Sequence, residues 1–242
     1  MSLLFETTPD GVSRYIDWIW SGLAWTLSLA LGAWTIALIV GTLVGVARTF
    51  PGGLWPRLAR AYVETFRNVP LLVQMFFWYF ILPELLPQRL GLAIKQMDPP
   101  WGSFVPALIC LGLFTAARIA EQVRAGVQAL PAGQRAAASA LGFSRSGMYR
   151  LILLPQAFRI ILPTLTNEFM TIFKNTSVAL TIGLVELTAT AREINENTFR
   201  TFEAYGIVTI VYLAIALIAW QLMYRIERAA QLPSLVSGSA RK

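Results

Sequence analysis

The sequence predicts an all-α integral membrane protein with five transmembrane helices, its N-terminus outside the cytoplasm and its C-terminus inside. Three observations carry that reading. Of the 242 residues, 56% are hydrophobic and only 14% charged. The apolar residues run in long blocks instead of alternating with polar ones, and arginine is concentrated between alternate blocks. A helical span takes roughly 20 residues, so the chain has room for about five or six spans and their connections in a single membrane domain. The spans are helices because a backbone in hydrocarbon must satisfy its own hydrogen bonds.

Residues 1–18 carry Glu6, Asp10 and Asp17 against Arg14, which is not the basic start of a cleaved signal, so this segment is expected in the mature protein. The first span covers 19–47 and is closed by Pro51, Gly52 and Gly53; the second covers 69–86, with Asn68 as N-cap and Pro70 in its first turn. The third, 103–120, follows the breaker Asp98, Pro99 and Pro100, and contains Cys110, whose apolar surroundings make it a buried, inert thiol. Spans four and five cover 164–185 and 205–224, and residues 231–242 read as a loose tail with no role. Trp18, Trp20, Trp101 and Trp220, with Tyr15, Tyr205 and Tyr224, stand near the expected ends, as an interfacial belt requires.

Charge sets the orientation. One side collects Arg48, Arg57, Arg60 and Arg67, then Arg124, Arg135, Arg145, Arg150 and Arg159, then Arg225, Arg228, Arg241 and Lys242. The other holds Arg14, Arg89, Lys95, Arg192 and Arg200, together with Asp17, Asp98, Glu193, Glu196 and Glu203. The arginine-rich side is the cytoplasmic one by the positive-inside rule. This distribution also accounts for the net charge of +7 without nucleic acid, since no aromatic stacking platform lies between the basic residues.

The cytoplasmic segment 131–163 is unlike its hydrophobic neighbours. Pro131 and Gly133 are expected to end the extension of span three, after which 134–141 has helix-forming composition with Ala136, Ala137, Ala138 and Ala140. Gly142 stands where a C-cap needs positive φ, and Ser144 can cap a second short helix through Met148 and Tyr149 until Pro155 interrupts it. The thin alanine face, with Phe143 and Met148 as apolar anchors, suits a helical corner that docks into a partner's groove; an ordinary amphipathic surface loop is the plainer alternative.

The spacing of Ala137-Ala138, Gly142, Ile152, Leu154 and Pro155 resembles, without a gap, the EAA loop of ABC importer permeases. The family's usual glutamate falls at Ala136, so the acidic contact is missing. Residues 62–74 resemble the start of the second span in the polar amino acid subfamily, and Glu121 to Arg124, Lys174 to Ser177 and Ile182 to Leu187 match further landmarks. Arg118 in FTAAR, and Trp78-Tyr79 ahead of PELLP, look most like a permease of the glutamate/aspartate importers.

The resemblance implies a multi-pass permease of the bacterial inner membrane that forms half of a pathway for polar amino acids, acidic ones (glutamate and aspartate) in particular. Its implied partners are ABC ATPase subunits that grip Gln134, Arg135, Ala136, Ala137, Ala138, Gly142, Phe143 and Met148, a second homologous permease, and an external amino-acid-binding protein.

The residues themselves agree on the energy source. No GxxxxGK[ST] loop is present, since Lys95, Lys174 and Lys242 follow Ile, Phe and Arg, so ATP and its Mg are expected on a partner and the chain is expected to be neither an enzyme nor a cofactor carrier. With no histidine and no clustered ligands, no metal site is expected. Charges inside spans are expensive and therefore the best pointers to function. Arg118, Glu168 and Lys174 are these charges, with Lys174 about 15 Å into span four and Arg118 about 24 Å into span three.

Arg118, Lys174, Asn175, Thr176 and Ser177 are candidates to line a cationic pathway, with Arg118 offering a carboxylate a planar donor pair. The structural alternative pairs Arg118 with Glu121 or Glu168. Glu64, Glu121, Arg124 and Glu168 are candidates for a gate or an ion-pair network. Two other classes stay open: an ATP-independent channel or secondary carrier, and a scaffold that moves nothing.

Overall fold

The computed structural model describes residues 3–230, and the expected tail 231–242 lies outside the described residues. Among these residues the architecture is helical, with a single isolated bridge between Thr7 and Arg14. That bridge closes an N-terminal turn. Asp10 accepts from the Thr8 and Ser13 hydroxyls and from the Val12 and Ser13 amides. These donors, Thr8 first, hold its carboxyl well below the ordinary 3.8.

The scaffold is the pairing of α1 (Tyr15–Ala47) with α6 (Trp101–Gln128). Small residues let the two backbones approach closely. A Cβ at Gly41 would stand 2.9 Å from the Ala116 carbonyl oxygen, and one at Gly45 would stand 2.8 Å from that of Ala120, so both positions need glycine. Farther along α6, Cys110 is buried among apolar neighbours.

The expected second span is reshaped by Pro70. Val69 precedes a proline and is held in the extended region at φ −92°, ψ 129°, which ends α2 (Leu54–Asn68) and lets a new helix begin at Leu71. Asn68 is therefore the last residue of α2 rather than an N-cap, and Pro70 is itself the N-cap of α3 (Leu71–Phe76). Helix α2 makes an angle of 109° with the stretch Leu71–Leu85. Gln74 braces the bend, its Nε2 donating to the carbonyls of Phe66 and Val69 at 2.9 Å each.

Proline also shapes two π turns. Phe77–Ile81 leads into α4 (Leu82–Leu85), which contains Pro83, and Tyr149–Leu153 leads into α9 (Leu154–Asn175), which contains Pro155. Each proline lacks an N–H and crowds the preceding turn. One extra residue in that turn relieves both problems and keeps the chain helical.

The remaining elements are α5 (Gln88–Lys95), α7 (Ala132–Ala140), α8 (Arg145–Met148), a 3₁₀ turn at Thr176–Ile182, α10 (Leu187–Thr198) and α11 (Thr201–Ala230). Helices α1, α6 and α11 are each long and apolar enough to cross a membrane, and the bent α2–α4 pair qualifies as a fourth crossing if counted as one. In the region read as span four, the helix starts at Leu154 and gives way to the 3₁₀ turn at Thr176.

Helix α10 is more deeply placed than a surface loop. Glu186, fully buried, caps it by accepting from the Thr188 and Ala189 amides at 3.0 Å each, and receives the Tyr212 hydroxyl of α11 at 2.7 Å. The Leu187 amide donates to Thr26 of α1 at 3.1 Å. One carboxylate and its neighbour thus tie three helices together.

Candidate functional site

The corner between α6 and α9 is built by local rules. Helix α7 ends in a Schellman turn: the Gly142 N–H donates to Ser139 and the Phe143 N–H to Ala138, both at 3.1 Å, with Gly142 at φ +75°. Ser144 then caps α8, accepting from the Gly147 amide at 3.1 Å. Two expectations are corrected. Gly133 lies inside the first turn of α7, because Pro131 takes the N-cap position, and Pro155 does not interrupt the second helix, because the π turn absorbs it.

The corner presents Gln134, Ala136, Ala137, Leu141, Gly142 and Phe143 to the outside, with Leu141 76% exposed. Ala138 is buried, and Met148 packs inward against the second apolar cluster, so of the two expected anchors only Phe143 faces out. Leu141 is the exposed apolar residue that sequence reasoning passed over. Arg135 turns back on the scaffold, donating to the Val127 carbonyl at 3.2 Å.

A short bridge connects this corner to the end of α1. The Tyr149 and Thr49 hydroxyls are 2.6 Å apart, the Phe50 and Tyr149 rings meet edge to face at 5.6 Å, and the Arg145 guanidinium sits 5.5 Å over Phe50. A cleft of about 440 Å³ opens beside these residues, between Thr42 and Leu154. Thr49, Phe50 and Tyr149 were absent from the expected site. A tyrosine and a threonine at apolar edges have no sequence signal until the fold pairs them.

The expected ion-pair network divides into two clusters. In the first, Glu121 of α6 binds Arg48 at the end of α1 and Arg124 one turn on, with Arg67 of α2 at 3.9 Å. Arg48 and Arg67, read only as orientation signals, thus join the ends of α1 and α2 to α6 through one carboxylate. Glu64 is exposed and enters no ion pair among the described residues.

In the second cluster, Glu168 of α9 accepts from Arg118 Nε at 2.8 Å and from Gln122 Nε2 at 3.2 Å, and Thr164 donates to Gln122 at 3.2 Å. The two partners differ in exposure: the Glu168 side chain is 10% accessible and that of Arg118 44%. The carboxylate is held from behind by Nε, and much of the guanidinium remains open. Such a fork can still receive an anion in a bidentate fashion.

Lys174 lies nearly two turns beyond Glu168 on α9, exposed, and takes no part in that pair. Thr176 is buried with its hydroxyl donated to the Phe173 carbonyl, Ser177 donates to the Lys174 carbonyl, and Asn175 is half-buried. Thr176 is thereby spent on backbone, while Lys174, Asn175 and Ser177 reach the surface. Past the 3₁₀ turn, a cavity of about 690 Å³ is lined by Tyr79, Glu84, Lys95, Ser103 and Gly183 among others, and Lys95 pairs with Glu84 there.

Comparison with known proteins places this geometry in a family. Residues 37–231 match the family described as binding-protein-dependent transport system inner membrane component. The chain is 42% identical over 237 residues, 98% of its length and 96% of the relative's, to the glutamate/aspartate import permease protein GltJ of Escherichia coli strain K12. It is 33% identical over 227 residues, 93% of its length and 99% of the other's, to the glutamate/aspartate import permease protein GltK of E. coli O6:H1. Among solved structures, a chain of an amino acid ABC transporter crystallised with histidines superposes with a TM-score of 0.73 at 32% identity, covering 89% of this chain and 95% of that one. The chain therefore belongs to the inner membrane components of binding-protein-dependent transport systems, and is a permease subunit of an ABC importer.

Proposed function

We propose that this permease carries acidic amino acids, and that Arg118 meets the substrate carboxylate. The observation that supports the reading is the asymmetry of the Arg118–Glu168 pair, in which the buried acid orients a guanidinium that stays 44% accessible. The fixed carboxylate offsets the cost of a cation inside the membrane domain, and the open edge remains available to an anionic ligand. Lys174 adds positive charge on the same path, with Asn175 and Ser177 as polar lining. Similarity to a glutamate/aspartate import permease over nearly the whole chain agrees with that choice.

In this reading five crossings run from an outer N-terminus to a cytoplasmic C-terminus, and one chain forms half a pathway. A homologous permease supplies the other half, consistent with the chain's similarity to both GltJ and GltK. An external binding protein delivers substrate. ATPase subunits, which hold the ATP and Mg, seat the corner from Gln134 to Met148 in a groove. Ala136 leaves that contact to shape, to Gln134 and to the exposed Leu141 and Phe143. ATP binding and release then shift the populations of outward- and inward-open states through differential affinity.

The test is uptake by the complete complex in proteoliposomes with Arg118→Gln. Uptake of glutamate and aspartate is expected to fall about tenfold or more, the equivalent of one lost charge-assisted contact of about 1.4 kcal/mol, while the complex still assembles. Failed assembly with unchanged selectivity in the residual transport would make Arg118 purely structural. Uptake at full rate without ATP hydrolysis would sink the ABC mechanism.

A further inference from the structure

Helix α2 is left with more apolar surface than the scaffold covers. Ala59 and Val63 are buried, Phe66 packs beside Val63 in the small cluster formed with α6, and the Tyr62 hydroxyl donates to the Leu113 carbonyl at 2.6 Å. At about 100° per residue, these side chains define the face turned to α6. One flank of that face carries Leu54 and Leu58, which are 66% and 52% exposed, while Trp55, 73% exposed, continues the line of Tyr62 and Phe66 at the start of the helix. The opposite flank carries Arg57, Arg60 and Glu64, all exposed.

The helix is also set across the neighbouring one. The 109° bend at Val69 and Pro70 places α2 nearly perpendicular to the stretch Leu71–Leu85, so when that stretch rises through the bilayer, α2 lies along its surface. A helix in that position has three environments: protein on one side, hydrocarbon on another and water on the third. Tyr62, Val63 and Phe66 face the first, Leu54 and Leu58 the second, and Arg57, Arg60 and Glu64 the third, with Trp55 at the start of the helix on the α6-facing line.

We infer that α2 is an interfacial helix that engages anionic phospholipid, with Leu54, Trp55 and Leu58 at the headgroup–acyl boundary and Arg57 and Arg60 at the headgroup phosphates. Charge complementarity selects the lipid class, because the polar flank has two arginines to one glutamate and the tryptophan suits the interface. The far end of the same helix carries Arg67, 3.9 Å from Glu121, so headgroups held by Arg57 and Arg60 fix the helix that delivers Arg67 to the α1–α6 junction.

The test uses the assembled complex in nanodiscs of mixed phosphatidylglycerol and phosphatidylcholine, with bromine on the acyl chains of one lipid or the other. The Trp55 contribution is the fluorescence difference between the parent and Trp55→Phe. It is expected to be quenched more strongly by brominated phosphatidylglycerol, since an arginine near an anionic surface favours it by about fivefold. Arg57→Gln with Arg60→Gln, both on exposed positions, is expected to abolish the preference and leave quenching itself intact. Equal quenching by the two lipids overturns the choice of anionic lipid. Absence of quenching, the result if a partner subunit covers this flank, overturns the membrane contact altogether.

Discussion

Thr49 and Tyr149, a hundred residues apart, share a hydrogen bond of 2.6 Å that joins the end of α1 to the π turn behind the corner of α7 and α8. Thr49 also donates to the Val46 carbonyl, so the bond ends on backbone and not on a mobile side chain. The contacts thus run from the corner to α1 and, through Arg48 and Glu121, to α6.

Tyr149→Phe keeps the ring against Phe50 and removes only the hydroxyl, at a cost of about 0.5–1.5 kcal/mol. The complex is expected to assemble and hydrolyse ATP, with fewer substrate molecules moved per ATP. Parallel measurement of hydrolysis and uptake in proteoliposomes checks this; an unchanged ratio means the contact carries no motion.

Gly142 separates conformational from steric demands. A Cβ there would meet nothing within 4 Å, so within the chain the position is restricted by its φ of +75° alone. Gly142→Asn, which tolerates that conformation, is expected to retain transport, whereas Gly142→Phe is expected to leave membrane insertion intact and abolish ATPase binding. Co-purification of the ATPase with each variant decides it.

At Gly45 the limit is space. Gly45→Val brings a branched side chain against the Ala120 carbonyl oxygen and Val123, and is expected to destabilise the α1–α6 pair by about 1–3 kcal/mol. Thermal unfolding in detergent should show a lower Tm. No shift would mean that the helices separate at little cost.

Glu186 acts as a cap, and its charge is dispensable in that role. Glu186→Gln retains an acceptor oxygen for the Thr188 and Ala189 amides and is expected to fold and assemble. Glu186→Ala orphans both amides in a fully buried site and leaves the Tyr212 hydroxyl to Thr188 alone, a loss of about 1–3 kcal/mol or more. Comparing the two by thermal unfolding isolates the cap, and equal loss in both would give the charge itself a structural role.

Much of this was legible in the residues because local rules governed it. The Gly142 turn, the Ser144 cap and the break after Ala47 follow from backbone preferences, and the apolar blocks located the long helices. Glu168 stood among the two acids considered for Arg118 because intramembrane charges have few partners. The rest depended on contacts that hydropathy does not encode. Gly41 and Gly45 are four apart, a spacing that signals close helix approach, yet inside an apolar block they read only as part of a span. Arg48 and Arg67 served as orientation markers, and nothing local says that both converge on Glu121. Glu186 stood only within the Ile182–Leu187 motif, because a buried cap is visible only once Thr26 and Tyr212 come together around it.

The π turn ahead of Pro155 changes what kind of segment lies between Gly142 and α9. A loop tolerates gain or loss of a residue, whereas a wound segment does not, because each residue also sets rotational phase, about 100° of it. From Arg145 to Asn175 the chain is continuously helical, so a single deletion between Tyr149 and Leu153 would turn the corner about its axis and point Leu141 and Phe143 away from their present direction. The interval from the glycine to the proline is therefore an angular specification as much as a length, and insertions for labelling or fusion belong elsewhere in the chain.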